Sequence, residues 1–420
     1  MRIVIICDYA HAAGGLEKVA IDSACGLARR GFSVDFFAAV GPVAAALVES
    51  GVNVRLLGQP DVRSAPSFLR FGAQWLWNAE AARALSAHLT TCDPAATIVH
   101  VHGWSKALSP SIGEALRHAG LPVVHTLHDY YLACPNGGFY DFGKARNCDY
   151  VAMSSGCIAH NCDSRGYHRK LMRVFRHAVM LYASRLHESA RHVVTISKLQ
   201  REVMTPYLPK DATCYDVSNP IDVPDLGPKG DAPLGDFVFF GRLSPEKGAR
   251  YFAEAAAIAG VRPVFIGDGP ERQTLRKAFP QARFLGWRSA REVRDLLRSA
   301  RALVFPSIWY EGQPLSIYEA LALGTPVIVS DLCAGREAVT HGETGLWFKS
   351  ADVRALSDAM TQLCDDVIAR RMGRAAYERY WADPLTLDRH LDRIGEVYRL
   401  VRLSSPLETS RAAPVDGAAH

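Results

Sequence analysis

The sequence predicts an α/β protein with two parallel sheets, each covered by helices. Three observations carry that expectation. Short apolar runs alternate with helical patterns along almost the whole chain. Residues 216–236, DVSNPIDVPDLGPKGDAPLGD, are dense in Pro, Gly and Asp and separate two such series. A length of 420 residues suits two domains of ordinary size better than one.

Composition narrows the class. With 49% apolar and 22% charged residues, the chain reads as globular. A net charge of +5 is too mild to imply nucleic acid as a partner. No apolar run is long enough to span a bilayer. The opening Met1-Arg2-Ile3-Val4-Ile5-Ile6-Cys7 meets Asp8 at once, so it reads as a first strand and not as an export signal. The expectation is therefore a cytoplasmic protein whose ten cysteines are thiols or metal ligands.

In the first series, strands are expected at residues 2–7, 34–38, 52–56, 97–102, 123–127 and 193–196. Gly14-Gly15 lies between the first strand and a helix whose buried side holds Leu16, Val19, Ala20 and Leu27. Paired glycines there let backbone N–H groups approach a ligand, or simply make a tight turn. Thr126-Leu127-His128-Asp129 closes the fifth strand, which puts His128 at the carboxyl end of the sheet, where ligands bind in such folds.

Residues 134–162 break the alternation and hold Cys134, Cys148, Cys157 and Cys162. Four thiols in so short a stretch are candidates for a structural zinc clip, although their spacing matches no standard zinc motif; a mobile insertion with unpaired thiols is the other reading. Residues 165–201 then carry nine Lys or Arg and one acid, Glu188. Leu171, Val174, Phe175, Ala178, Leu181 and Tyr182 recur there at helical spacing. A basic amphipathic helix of this kind offers a peripheral contact with an anionic membrane, or is a solvated basic face.

In the second series, strands are expected at 237–240, 263–266, 283–285, 302–305 and 327–330. The loop Gly241-Arg242-Leu243-Ser244-Pro245-Glu246-Lys247-Gly248 puts an Arg and a Lys at the sheet's carboxyl edge, a pair suited to a diphosphate. The stretch Ala302–Leu323 reads as a buried strand, a loop with Glu311 and Gly312, and a helix opening at Pro314 and closing at Gly324. Free N–H groups near Leu315 and Ser316 make an anion site, with Glu311 and Glu319 beside it to hold sugar hydroxyls. After Trp347 the chain turns helical, and its last fifteen or so residues read as disordered.

Together these residues resemble the retaining family 4 glycosyltransferases, of the glycosyl transferases group 1 type, over nearly the whole chain. The matching segments are Gly14-Gly15, His128, Val194-Thr195-Ile196-Ser197, Asn219-Pro220-Ile221-Asp222, Gly241-Arg242-Leu243, Glu246-Lys247-Gly248 and Gly267-Asp268-Gly269-Pro270. The most specific is Glu311 followed by Glu319 and Ala320-Leu321-Ala322-Leu323-Gly324-Thr325-Pro326. Gln313 departs from the pattern, which often has an apolar residue there.

The resemblance implies the GT-B fold: two facing Rossmann-like domains, a deep interdomain cleft, and a C-terminal helix crossing back to the first domain. Residues 1–215 would form an acceptor-side domain, with the cysteine-bearing insertion at 134–165 and the helix at 385–403 packed on it. Residues 216–384 would form the donor domain, and 404–420 a disordered tail. The implied reaction is retaining transfer of a sugar from a UDP- or GDP-sugar to a glycan or lipid-linked acceptor in cell-surface polysaccharide or glycolipid synthesis. It requires no further cofactor, and the enzyme would act in the cytoplasm or at the inner membrane face. His128, Arg242, Lys247 and Glu311 would be catalytic. Gly15, Gly241, Gly269, Gln313, Leu315, Ser316 and Glu319 would bind the donor. A GT-B sugar-nucleotide epimerase and a non-catalytic sugar-nucleotide-binding protein are the alternatives.

Overall fold

A computed structural model describes residues 1–60, 68–230 and 232–404. The tail expected to be disordered lies outside these, apart from Ser404, which ends the Leu387–Ser404 helix. The chain forms two compact units. One is Met1–His125 with the chain from Leu391 onward, and the other is Thr126–His390.

The strands of the first unit are β1 (Arg2–Tyr9), β2 (Ser33–Val40), β3 (Asn53–Leu56), β4 (Thr97–Val101) and β5 (Val123–Leu127), the last crossing the division. They lie in the order β3-β2-β1-β4-β5, all parallel. Ile3, Val4, Ile5 and Ile6 are fully buried, as befits a central parallel strand covered on both faces. The C-terminal helix packs on this unit. Leu391 lies so close to Gly26 that a Cβ there would sit 2.4 Å from it, Tyr398 hydrogen-bonds His100 at 2.7 Å, and Arg30 pairs with Asp392 at 2.7 Å.

The second unit continues with a two-stranded hairpin, β6 (Tyr140–Asp141) and β7 (Arg146–Asn147), and a parallel pair, β8 (His192–Thr195) and β9 (Thr213–Asp216). A six-stranded sheet follows: β10 (Phe237–Phe240), β11 (Pro263–Ile266), β12 (Arg283–Gly286), β13 (Ala302–Phe305), β14 (Val327–Ser330) and β15 (Gly345–Phe348). Its order is β12-β11-β10-β13-β14-β15, with every pairing parallel. Alternate residues of β13 enter different cores. Ala302 and Val304 pack with Phe252, Phe265 and Met360, whereas Leu303 and Phe305 pack with Leu297, Ile317 and Leu321. A strand that feeds two cores is apolar at every position, which is why it reads as a continuous run.

The stretch 217–236 has no helix or strand among its described residues, yet it is strapped down. Arg298 donates to the carbonyls of Leu226, Gly227 and Pro228, and Arg370 to those of Gly230 and Ala232.

Two expectations for residues 134–182 are corrected. The thiols are not arranged as a metal clip: among the described residues no three His, Cys, Asp or Glu side chains are placed to hold an ion. Instead the buried Lys170 ammonium lies 3.4 Å from Cys157 Sγ and 3.3 Å from Cys162 Sγ. Cys134 and Cys148 lie near enough to act electrostatically on Cys162. The Tyr167–Ala178 helix is amphipathic, but of its expected apolar stripe only Val174 is buried. Lys170, Arg176 and His177 are buried, while Leu171, Met172, Phe175 and, just beyond, Tyr182 are exposed. The insertion supplies the reason, since its acceptors draw the cations inward: Arg173 bonds Asp163 at 2.9 Å and Asn136 Oδ1 at 2.6 Å, and Lys170 takes the sulfurs.

Candidate active site

The loops that leave β10, β11 and β13 meet at one edge of the six-stranded sheet, and backbone crowding dictates their glycines. Gly248 has φ +71, and a Cβ there would lie 2.0 Å from the Pro306 carbonyl oxygen. A Cβ on Gly269 would lie 2.2 Å from the Leu243 carbonyl oxygen, and its N–H is taken by Asp268 Oδ1 at 2.8 Å. Gly269 is therefore a packing residue in this arrangement, with no N–H left for a ligand.

This packing brings the loops after β10 and β13 together on one carboxylate. Lys247 Nζ donates to both oxygens of Glu311, at 2.7 and 2.9 Å, and Ser307 Oγ donates to Oε1 at 2.8 Å. Glu311 is 7% exposed and has φ +47, a left-handed conformation that is costly for a residue with a side chain. The Lys247 ammonium also lies 5.4 Å from the centre of the Trp309 ring.

Lys247 and Glu311 face a cavity of about 250 Å³ that is also lined by Gly241, Gln313, Leu315 and Ser316, with Phe239, Phe240 and Phe305 as apolar wall. The Leu315–Ala322 helix begins at this cavity. Its N-cap is Pro314, in extended conformation, and no side chain caps it. The first N–H groups of the helix thus lack intrahelical acceptors and favour an anion. The helix stops as its sequence requires, with Gly324 at φ +69 just past its end.

Six of the eleven candidate residues therefore line one cavity: Gly241, Lys247, Glu311, Gln313, Leu315 and Ser316. Arg242 adjoins Gly241 but is exposed, and its guanidinium has no polar partner among the described residues. Glu319 lies one turn after Leu315 on the same helix face, outside the cavity lining. Gln313 lines the cavity, but its amide is occupied: Oε1 accepts from Asn219 N–H at 2.6 Å and Nε2 donates to Asn219 O at 3.3 Å. That pairing accounts for a polar residue at this position. His128 follows β5, and burial with His390 nearby pulls its pKa down to about 3, so its imidazole is neutral at physiological pH. Gly15 belongs to the first unit and opens the Gly15–Arg29 helix.

Sequence reasoning missed Ser307 and Tyr130. Ser307 reads as a strand stop after Pro306, and only its place four residues before Glu311 hints at more. Tyr130 sits in the loop after β5, just before the insertion and 181 positions from the Glu311 carbonyl that it bonds, and no local pattern could connect them.

Comparison with known proteins agrees with this geometry. The pattern described as Glycosyltransferase Family 4 matches residues 13–223, and that described as Glycosyl transferases group 1 matches residues 235–366. The chain is 26% identical over 329 residues to the UDP-Gal:alpha-D-GlcNAc-diphosphoundecaprenol alpha-1,3-galactosyltransferase of Escherichia coli, covering 72% of this chain and 74% of that one. It is 32% identical over 214 residues to a phosphatidyl-myo-inositol mannosyltransferase of Mycobacterium leprae, covering 46% of this chain and 56% of that protein. Among solved structures, Anabaena Alr3699/HepE in complex with UDP superposes with a TM-score of 0.67 at 17% identity, over 95% of this chain and all of that one. The fold is thus the GT-B fold of glycosyltransferases. The Family 4 pattern alone spans half of the sequence, and this chain belongs to Glycosyltransferase Family 4.

Proposed function

We propose that this glycosyltransferase moves a sugar from a UDP-sugar to a lipid-linked glycan, with retention of anomeric configuration and without a divalent metal. The observation that carries the reading is the convergence of Lys247, Glu311 and an uncapped helix start on one cavity. The helix start and Lys247 would receive the donor's diphosphate, and Arg242 is free to join them. Lys247, Arg242 once drawn to the phosphates, and a helix dipole would stabilise the charge that builds on the leaving diphosphate. Lys247 and Ser307 use three of the four lone-pair positions of Glu311, which leaves one on Oε2 for a sugar hydroxyl. His128, neutral, would hydrogen-bond the transferring sugar without adding charge. Glu319 would take the ribose.

The E. coli relative's name supports a UDP-sugar donor and a diphosphoundecaprenol-linked acceptor. The exposed ridge of Leu171, Met172 and Phe175 supports action at a membrane face, since a water-facing apolar ridge suits a lipid headgroup boundary.

A panel of UDP- and GDP-sugars, scored by donor hydrolysis and by thermal shift, tests the reading. One UDP-sugar should raise the melting temperature and be hydrolysed, with activity persisting in excess chelator and the α-anomer retained in transfer. No shift with any nucleotide sugar would overturn it.

A further inference from the structure

The loop that carries Glu311 is held residue by residue from outside its own sheet. Gly138 lies against Trp309, where a Cβ would come within 2.8 Å of the indole. The Tyr130 ring packs against Tyr310, with centroids 6.3 Å apart. The Tyr130 hydroxyl donates to the Glu311 carbonyl at 3.0 Å. Gly312 meets Ile196, and Gln313 is tied to Asn219. Of these contacts, the one on Glu311 bears on chemistry. Glu311 occupies a left-handed conformation that persists only if its surroundings over-determine it. Lys247 and Ser307 fix its carboxylate, and Tyr130 fixes its carbonyl.

We propose that Tyr130, from the loop between β5 and the cysteine-bearing insertion, is a positioning residue of the transfer reaction: its hydroxyl holds the Glu311 backbone so that the carboxylate meets the sugar in reacting geometry. This rests on the proposed role of Glu311. Tyr130 itself is 3% exposed and its hydroxyl proton is committed to the backbone, so it acts through Glu311 and not on substrate. Misplacement of a positioning group by an ångström costs rate far more than affinity.

The test is Tyr130→Phe in the full chain, which deletes one oxygen and keeps the ring that packs on Tyr310 and Phe139. The transfer kcat should fall at least tenfold, with the donor KM within twofold and the melting temperature nearly unchanged. Amide hydrogen exchange at residues 310–313 should speed up at least tenfold. A wild-type kcat, or unchanged exchange across the loop, would overturn the proposal, as would a kcat loss no larger than the loss of folded protein. Faster exchange in the variant, with no transfer by the wild type from any donor, would uphold the grip on the loop and refute the proposed reaction instead. Tyr130→Leu, which removes the ring as well, should lower both kcat and melting temperature.

Discussion

Lys247 grips both carboxylate oxygens of Glu311, at 2.7 and 2.9 Å, while Arg242, five residues earlier on the same loop, is left exposed. The two cations look equivalent in sequence, but their replacement should have different consequences. Arg242→Ala should cost about a hundredfold or more in transfer and leave stability within about 0.5 kcal/mol, the usual range for a surface change. Lys247→Ala strands a carboxylate that is 7% exposed. It should abolish transfer and also cost about 1–3 kcal/mol, less than a fully buried pair because the lysine side chain is 24% exposed. Adding Glu311→Ala to Lys247→Ala should restore part of that stability in urea unfolding. Equal stability of Arg242→Ala and Lys247→Ala would contradict the ion pair.

Most of the sheet strands were legible because burial leaves a plain trace, whereas the edge strands Thr213–Asp216 and Gly345–Phe348 were not expected. Val34, Ile98, Val123, Val264, Leu303 and Val327 all sit in apolar runs with no other use. So were the helix start at Leu315 and its stop at Gly324, where local geometry demands particular residues. The direction of the Tyr167–Ala178 helix was not legible. Its periodicity gives an apolar side and a basic side, but which side turns inward depends on acceptors elsewhere, such as Asp163, Asn136 and the thiols of Cys157 and Cys162. Likewise, a sequence shows that Glu311 and Lys247 belong to loops at one sheet edge. It does not show that they pair with each other before any phosphate arrives, nor that Tyr130 grips the Glu311 carbonyl.

The Lys170 ammonium is buried, and among the described residues its side-chain partners are two sulfurs with no carboxylate. Removing the charge and removing its partners should therefore have opposite effects. Lys170→Met keeps the volume, removes the buried charge, and should be neutral or stabilising. Cys157→Ala with Cys162→Ala leaves an unpaired buried ammonium and should cost about 3 kcal/mol. Urea unfolding of both variants checks the asymmetry. Stoichiometric zinc in the purified wild type would show that the sulfurs hold an ion and not the lysine.

Three histidines are pulled far below their ordinary range, His125 to about 4 and His128 and His177 to about 3, in each case chiefly by burial. In the unfolded chain each titrates near about 6.5. Between that value and the folded ones the unfolded state binds more protons, so stability must fall as pH falls. Unfolding free energy should be flat with respect to these groups above about pH 7 and drop steadily below about 6.5. His177→Gln should flatten part of that slope. Transfer should show no break near pH 6.5 from His128, because it is already neutral there. A pH–rate inflection near 6.5 that vanishes in His128→Gln would mean that its imidazole is solvated and titrates normally.

The outward face of the Tyr167–Ala178 helix leads to the last expectation. Phe175 is 60% exposed and Tyr182 79% exposed, with Leu171 and Met172 beside them. Leu171 and Phe175 are four apart and Met172 and Phe175 three apart, so they form one ridge. The same stretch of chain carries exposed arginines, with the side chains of Arg165, Arg185 and Arg191 59%, 49% and 67% exposed and each paired with an acid. Had the basic side faced out, membrane binding would be electrostatic and would vanish with screening, since the Debye length falls to about 3 Å at 1 M salt. An apolar ridge gives a different response. Flotation with vesicles containing anionic lipid should weaken as salt rises but not disappear. Leu171→Glu with Phe175→Glu should abolish it even at low salt. Hydrolysis of a soluble donor should be unchanged in that variant, because neither residue lines the Lys247–Glu311 cavity. Turnover of a lipid-linked acceptor in vesicles should fall sharply. Flotation that survives both substitutions would show that the ridge is not the membrane contact.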